Sequence, residues 1–221
     1  MTQAEVFNVI RLKAISVIKD KPLRIAINGI EGSGKTIFAR HLTQYLIDEQ
    51  YKAVHVSIDG FHHDRAYRYR QGRDSARGYY EDSYDEKAFV EGVLKRSQND
   101  QPSYTPASHD LDTDKYLASN PINIGPDTFI ITDGAYLFKP VYMPYWDLKI
   151  YLKTDFETAM KRGARRDEFS LGSYEAAQLK FKHRYHAASK IYQMEVDPDH
   201  HADIVIDNTD FMNPQPVYPA S

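Results

Sequence analysis

The stretch LRIAINGIEGSGKTIFARHL, Leu23 to Leu42, decides the fold. Leu23 to Asn28 is an almost unbroken apolar run of the kind a buried parallel strand needs. Gly29-x-x-x-x-Gly34-Lys35-Thr36 then satisfies the P-loop pattern in full. The spacing after it predicts a helix from about Lys35 that turns Ile37, Phe38, Leu42, Tyr45 and Leu46 inward. Glycines at Gly29, Gly32 and Gly34 let successive backbone N–H groups face one phosphate, and the helix N-terminus adds partial positive charge. In such a loop Lys35 reaches the β- and γ-phosphates and the Thr36 hydroxyl sits on Mg²⁺. A nucleotide site is therefore expected.

Working outward, the apolar period of Val6, Val9, Ile10, Ala14, Val17 and Ile18 predicts an amphipathic helix over about Gln3 to Lys19. On the other side, Ala53 to Ile58 reads as a short strand that delivers Asp59 at its carboxyl end. Thr128 to Thr132 does the same for Asp133, and Leu148 to Leu152 and Asp203 to Asp207 supply two further strands. Helical patterns lie between them, at Tyr84 to Ser97, Phe156 to Asp167 and Tyr174 to about Glu195. This alternation implies an α/β three-layer sandwich around a five-stranded parallel sheet. Ligands bind at the carboxyl edge of such sheets, where the P-loop, Asp59 and Asp133 converge. Asp59 is placed to take a proton from an attacking hydroxyl, and Asp133 to hold the metal.

The chain has 221 residues and 42% hydrophobic content, enough for one sizeable core. The reading is a single P-loop domain over 1–211 with a helical lid at about 162–173, followed by an extended or disordered tail at 212–221. With no cysteine there is no disulfide framework and no thiolate metal site. The adjacent pairs His62-His63 and His200-His201 do not make a zinc site, since neighbours do not share a helix face. No apolar run matches a membrane span, and the N-terminus mixes charges into its helical period, so a soluble cytoplasmic protein is expected. A formal charge of -3 gives no field for nucleic acid, and the arginines between His62 and Ser83 are offset by Asp64, Asp74, Glu81 and Asp82. A small-molecule partner is expected, with homo-oligomerisation left open.

With these residues assembled, the sequence resembles the uridine kinase and phosphoribulokinase family of P-loop kinases, and within it the uridine kinase-like branch. Its carriers are the P-loop, SIDGFHH, ARGYYEDSYD, PSYTPASH, ITDGAYLF, RGARRD and ADIVIDN, between about Arg24 and Asn208. The resemblance implies ATP and Mg²⁺ and, in this branch, transfer to the 5′-hydroxyl of uridine or cytidine in pyrimidine salvage. It makes Asp59 the catalytic base and Asp133 the second metal residue, where uridine kinases commonly carry Glu. Lys35, Arg162 and Arg166 act on the transferring phosphoryl group. Glu31, Ser33 and Arg165 join the P-loop glycines, Lys35 and Thr36 around the nucleotide. His62, Tyr104 and His109 face the acceptor, and either Asp82 or Asp85 holds the ribose. Two alternatives stand beside this. One is the same transfer to pantothenate, a nicotinamide riboside or a sugar. The other is a P-loop ATPase or a nucleotide-responsive binding protein.

Overall fold

The computed structural model describes residues 1–18 and 20–217. Helix α1 (Gln3–Ser16) opens on a capping box: Thr2 Oγ1 accepts from the Glu5 backbone and the Glu5 carboxylate accepts from Thr2 N. It buries Val6, Phe7, Ile10 and Ala14, while Ile18 beyond its end is exposed. Lys19, the expected last residue of that helix, lies outside the described residues. The P-loop joins β1 (Leu23–Asn28) to α2 (Lys35–Asp48), and β2 (Lys52–Ser57) follows.

The polar excursion after β2 folds into α3 (Arg65–Arg68), α4 (Ala76–Asp82) and α5 (Glu86–Phe89), the last continued by a wide π turn over Val90–Lys95. Four two-residue strands then form two small antiparallel pairs. Ser103–Tyr104 (β3), His109–Asp110 (β4), Lys115–Tyr116 (β5) and Ile122–Asn123 (β6) pair as β3 with β6 and β4 with β5. The main sheet resumes at β7 (Thr128–Gly134) and β8 (Leu148–Lys153). Next come α6 (Phe156–Leu171), α7 (Tyr174–Lys180), a π segment at Phe181–Tyr185, and α8 (His186–Val196). A short α9 (Pro198–His201) leads to β9 (Ile204–Asp207) and β10 (Gln215–Val217).

The sheet order is β10-β9-β8-β1-β7-β2. Five strands are parallel, as the apolar runs require, and β10 adds an antiparallel edge. Pro216 is tolerated there because an edge strand leaves one side unpaired. This strand lies in the stretch expected to be extended; the last part of that stretch, 218–221, is outside the described residues. Strands β7 and β2 lie on one side of β1 and β8 and β9 on the other, so the chain reverses its winding at β1, which makes the crevice beyond Asn28 the binding position.

One face of the sheet packs Leu23, Ile25, Ile27 and Ile131 against Phe7, Ile10, Phe38 and Leu42. Its other face packs Ala26, Val56, Ile130 and Tyr151 against Phe61, Phe89, Tyr136 and Tyr192. These are the two apolar interfaces of a three-layer sandwich. Two local expectations change. Ile37 is 59% exposed, because a residue one step from Phe38 lies about 100° around the helix from the buried stripe. Helix α6 also runs past the expected Asp167 to Leu171, carrying its arginines within the helix body.

Candidate active site

Two P-loop glycines are required by geometry. Gly32 has φ +84°, and a Cβ there would lie 2.1 Å from the Ala159 carbonyl oxygen; Gly34, with φ +90°, is the N-cap of α2. Polar contacts from elsewhere hold the loop. Asn28 Oδ1 accepts from Gly29 N at 3.0 Å, Asn208 Nδ2 donates to the Ser33 carbonyl at 2.8 Å, and His186 Nε2 bonds the Glu31 carbonyl at 2.9 Å. Ser33 is fully buried and its hydroxyl has no protein partner among the described residues. Lys35 is nearly buried, and its Nζ lies 3.4 Å from both Glu31 Oε2 and the Ile30 carbonyl. Burial works to raise the Glu31 carboxyl, but Lys35 and Arg166, with hydrogen bonds from Lys35 and Tyr79, hold it below its ordinary value.

The register Ser57↔Asp133 and Asn28↔Gly134 sets the ends of three strands side by side. Asp133 is fully buried; Thr36 Oγ1 donates to its Oδ2 at 2.5 Å, and His55 Nε2 contacts its Oδ1 at 2.7 Å. Burial pushes this carboxyl up, yet the bonds from His55 and Thr36 outweigh it and keep the group below the usual aspartate value. An ionised carboxylate beside a hydroxyl, both hard oxygens, is a donor pair that suits Mg²⁺.

Asp59 follows β2 in a short 3₁₀ turn, opens to the cleft and accepts from the Tyr84 hydroxyl at 3.1 Å. Protein surrounds its carboxyl even though water reaches it, and this enclosure raises it above the ordinary aspartate value. His62 opposes the rise, whereas Glu31 and Asp133 add to it. His62 Nδ1 bonds the Asp59 carbonyl at 2.8 Å, and burial lowers the imidazole, so the neutral ring donates from Nδ1. Glu31, Lys35, Thr36, Asp59, His62 and Arg166 all line one cleft of about 250 Å³. A larger cavity of about 550 Å³, lined by Tyr151, Phe156, Gln193 and Asp207 among others, contains no P-loop residue, so volume alone does not mark the site.

Other expected residues lie elsewhere. Asp82 is buried and bonded by Arg70 and Gln71, and Asp85 caps α5 by accepting from Ala88 N. Tyr104 and His109 are not in the wall of the cleft, where Leu111 stands instead. The His109 ring packs edge-on against Tyr116, 3.5 Å from Asp114. Arg162 donates to the carbonyls of Asn208 and Thr209 beyond β9, Arg165 is exposed, and Arg166 is paired with Asp167 at 2.7 Å.

Sequence reasoning missed His55, Arg68, Tyr69, Tyr79, Arg184 and Tyr185. A signal was available for His55, since in AVHVSI it alternates with Val54 and Val56 on the face of Ser57, the register partner of Asp133. Arg184 had none, because its surroundings come from residues more than a hundred positions away.

No family model matches the sequence. A curated uridine kinase from Leuconostoc citreum strain KM20 is 28% identical over 151 residues, covering 66% of this chain and 69% of that protein. A solved structure described as a possible uridine kinase from Bacillus stearothermophilus superposes with a TM-score of 0.70 at 20% identity, over 90% of this chain and 96% of the other. A proposed fructose transport system kinase from Silicibacter sp. TM1040 gives 0.67 at 19%, over 88% and 95%. Both structures share the fold. Together with the P-loop and the carboxylates at the strand ends, these likenesses show a P-loop kinase fold and a chain similar to the uridine kinase-like phosphotransferases.

Proposed function

We propose that the chain transfers the γ-phosphoryl group of ATP to a hydroxyl of a small molecule, with Asp59 as the base. The observation that carries this reading is that Lys35, Thr36 and Asp59 line one cleft while Asp59 has its carboxyl raised by enclosure. A base with a raised pKa is better matched to a hydroxyl proton than an ordinary aspartate is. Asp59 takes that proton as the acceptor oxygen bonds to the γ-phosphorus; the bond to the β–γ bridging oxygen breaks, and ADP leaves. Lys35 separates from Glu31 to lie on the β- and γ-phosphates, and Arg166 meets charge that spreads on the transferring group. Thr36 and Asp133 would hold Mg²⁺, which neutralises charge on the phosphates. Residues 162–173, the end of α6 and the turn at Gly172, serve as the lid.

The finer reading is the 5′-hydroxyl of uridine or cytidine, with a cytoplasmic role in pyrimidine salvage. The PSYTPASH segment and the curated uridine kinase support it. Another hydroxyl acceptor is favoured by specific placements: Tyr104 and His109 are absent from the cleft wall, Asp82 is engaged by Arg70, and Asp85 by α5. The test is ADP release scored with and without each of a panel of nucleosides, sugars and hydroxy acids. Release that depends on an acceptor supports the kinase reading, and equal release without one would leave an ATPase.

A further inference from the structure

Arg184 is only 3% exposed, yet among the described residues no carboxylate pairs with it and its Nη1 has no hydrogen-bond partner. Its guanidinium lies against the rings of Tyr69 and Tyr79, with Cζ 4.6 and 5.2 Å from their centroids. A guanidinium stays charged in a protein, and a buried charge without a counter-charge is among the costliest arrangements a fold can hold. Its neighbours in the cleft differ. Arg68 bonds Asp114 at 2.9 Å, Arg166 bonds Asp167, and Lys35 faces Glu31. Arg184 and the two tyrosines line the cleft that also contains Asp59. The donor phosphates already have Lys35, Arg166 and the helix N-terminus, which leaves Arg184 for something else.

Resting on the kinase reading, we infer that the acceptor carries an anionic group, a carboxylate or a phosphate, which Arg184 binds between Tyr69 and Tyr79 while the acceptor hydroxyl faces Asp59. A planar fork clamped by two rings is pre-organised for two parallel hydrogen bonds to such a group. A neutral nucleoside would enclose the cation still further and leave it unpaired.

The test compares wild type, Arg184→Gln and Arg184→Lys, by ADP release and by calorimetry. The probes are two neutral compounds, uridine and ribose, a carboxylate arm of glycerate and pantothenate, and a phosphate arm of ribose 5-phosphate. At least one anionic compound is expected to be used at about a hundredfold higher kcat/KM than either neutral one, and the two arms say which anion is read. Arg184→Gln is expected to raise the KM for that compound by roughly thirtyfold or more, the effect of hydrogen bonds to a charged group, with the KM for ATP within about twofold. Arg184→Lys restores part of the loss. In the absence of ligand Arg184→Gln keeps or raises the melting temperature, since it removes an unpaired buried charge. Several outcomes overturn the inference: efficient use of uridine, an equal fall for neutral and anionic acceptors in Arg184→Gln, a fall of more than about 5 °C in its melting temperature, or no binding of any anionic probe. Anion binding that Arg184→Gln abolishes, without turnover of any probe, instead removes the kinase reading and leaves the anion site standing.

Discussion

Thr36 Oγ1 donates to Asp133 Oδ2 at 2.5 Å, tying the first turn of α2 to the carboxyl end of β7. The contact sets a hydroxyl and a buried carboxylate together at the place where the P-loop presents its N–H groups. His55 completes the arrangement from β2 by occupying the other carboxylate oxygen.

Asp133→Asn is expected to raise the half-saturating Mg²⁺ concentration about tenfold or more and to leave most of the turnover at saturating Mg²⁺. A Mg²⁺ titration of the initial rate checks it. An unchanged midpoint would take Asp133 out of the metal site.

His55→Ala leaves one oxygen of a buried carboxylate without its partner. The expected cost is about 1–3 kcal/mol of stability, read by urea unfolding, together with a shift in Mg²⁺ dependence in the same direction as for Asp133→Asn.

Asp59→Asn is expected to lower turnover by a factor of about 10²–10⁴. It is also expected to stabilise the protein at neutral pH. Enclosure raises the folded carboxyl, so the neutral form is favoured on folding. Wild-type stability then falls as pH climbs from the unfolded aspartate value through the raised folded one. The melting temperature of Asp59→Asn relative to wild type should widen by a few degrees across that window and stay level below it. The acidic limb of kcat/KM should likewise lie above the ordinary aspartate range.

Gly32→Ala places a methyl group 2.1 Å from the Ala159 carbonyl on a backbone with φ +84°. The loop must shift, and a rise of about tenfold or more in the KM for ATP is expected, with a stability loss of about 1–3 kcal/mol. Steady-state kinetics at varied ATP reads the first, and urea unfolding the second.

The parallel sheet and the P-loop were legible because both are local: a short apolar run, a glycine spacing and a helical period each lie within twenty residues. Asp133 was legible for the same reason, as the acidic residue that ends such a run. The edge strand Gln215–Val217 was not, since Pro216 at its centre argues against a strand and only pairing with β9 makes it one. The cleft wall around Arg184 was the least legible part. Arg184 meets Tyr79 through the docking of the Phe181–Tyr185 segment on α4, and Tyr69 from the end of α3, and no sequence period encodes either contact. The family resemblance offered Asp82 or Asp85 for the ribose, and the fold bonds the first to Arg70 and Gln71 and uses the second to cap α5.

Phosphorus-31 NMR of the reaction mixture tests the central claim most directly. With ATP, Mg²⁺ and a turned-over acceptor, the γ-phosphorus is expected to move into a phosphate ester in step with ADP, and both signals should vanish in Lys35→Ala and Asp59→Asn. Inorganic phosphate appearing in place of the ester, at a rate indifferent to the acceptor and to Asp59→Asn, would contradict it.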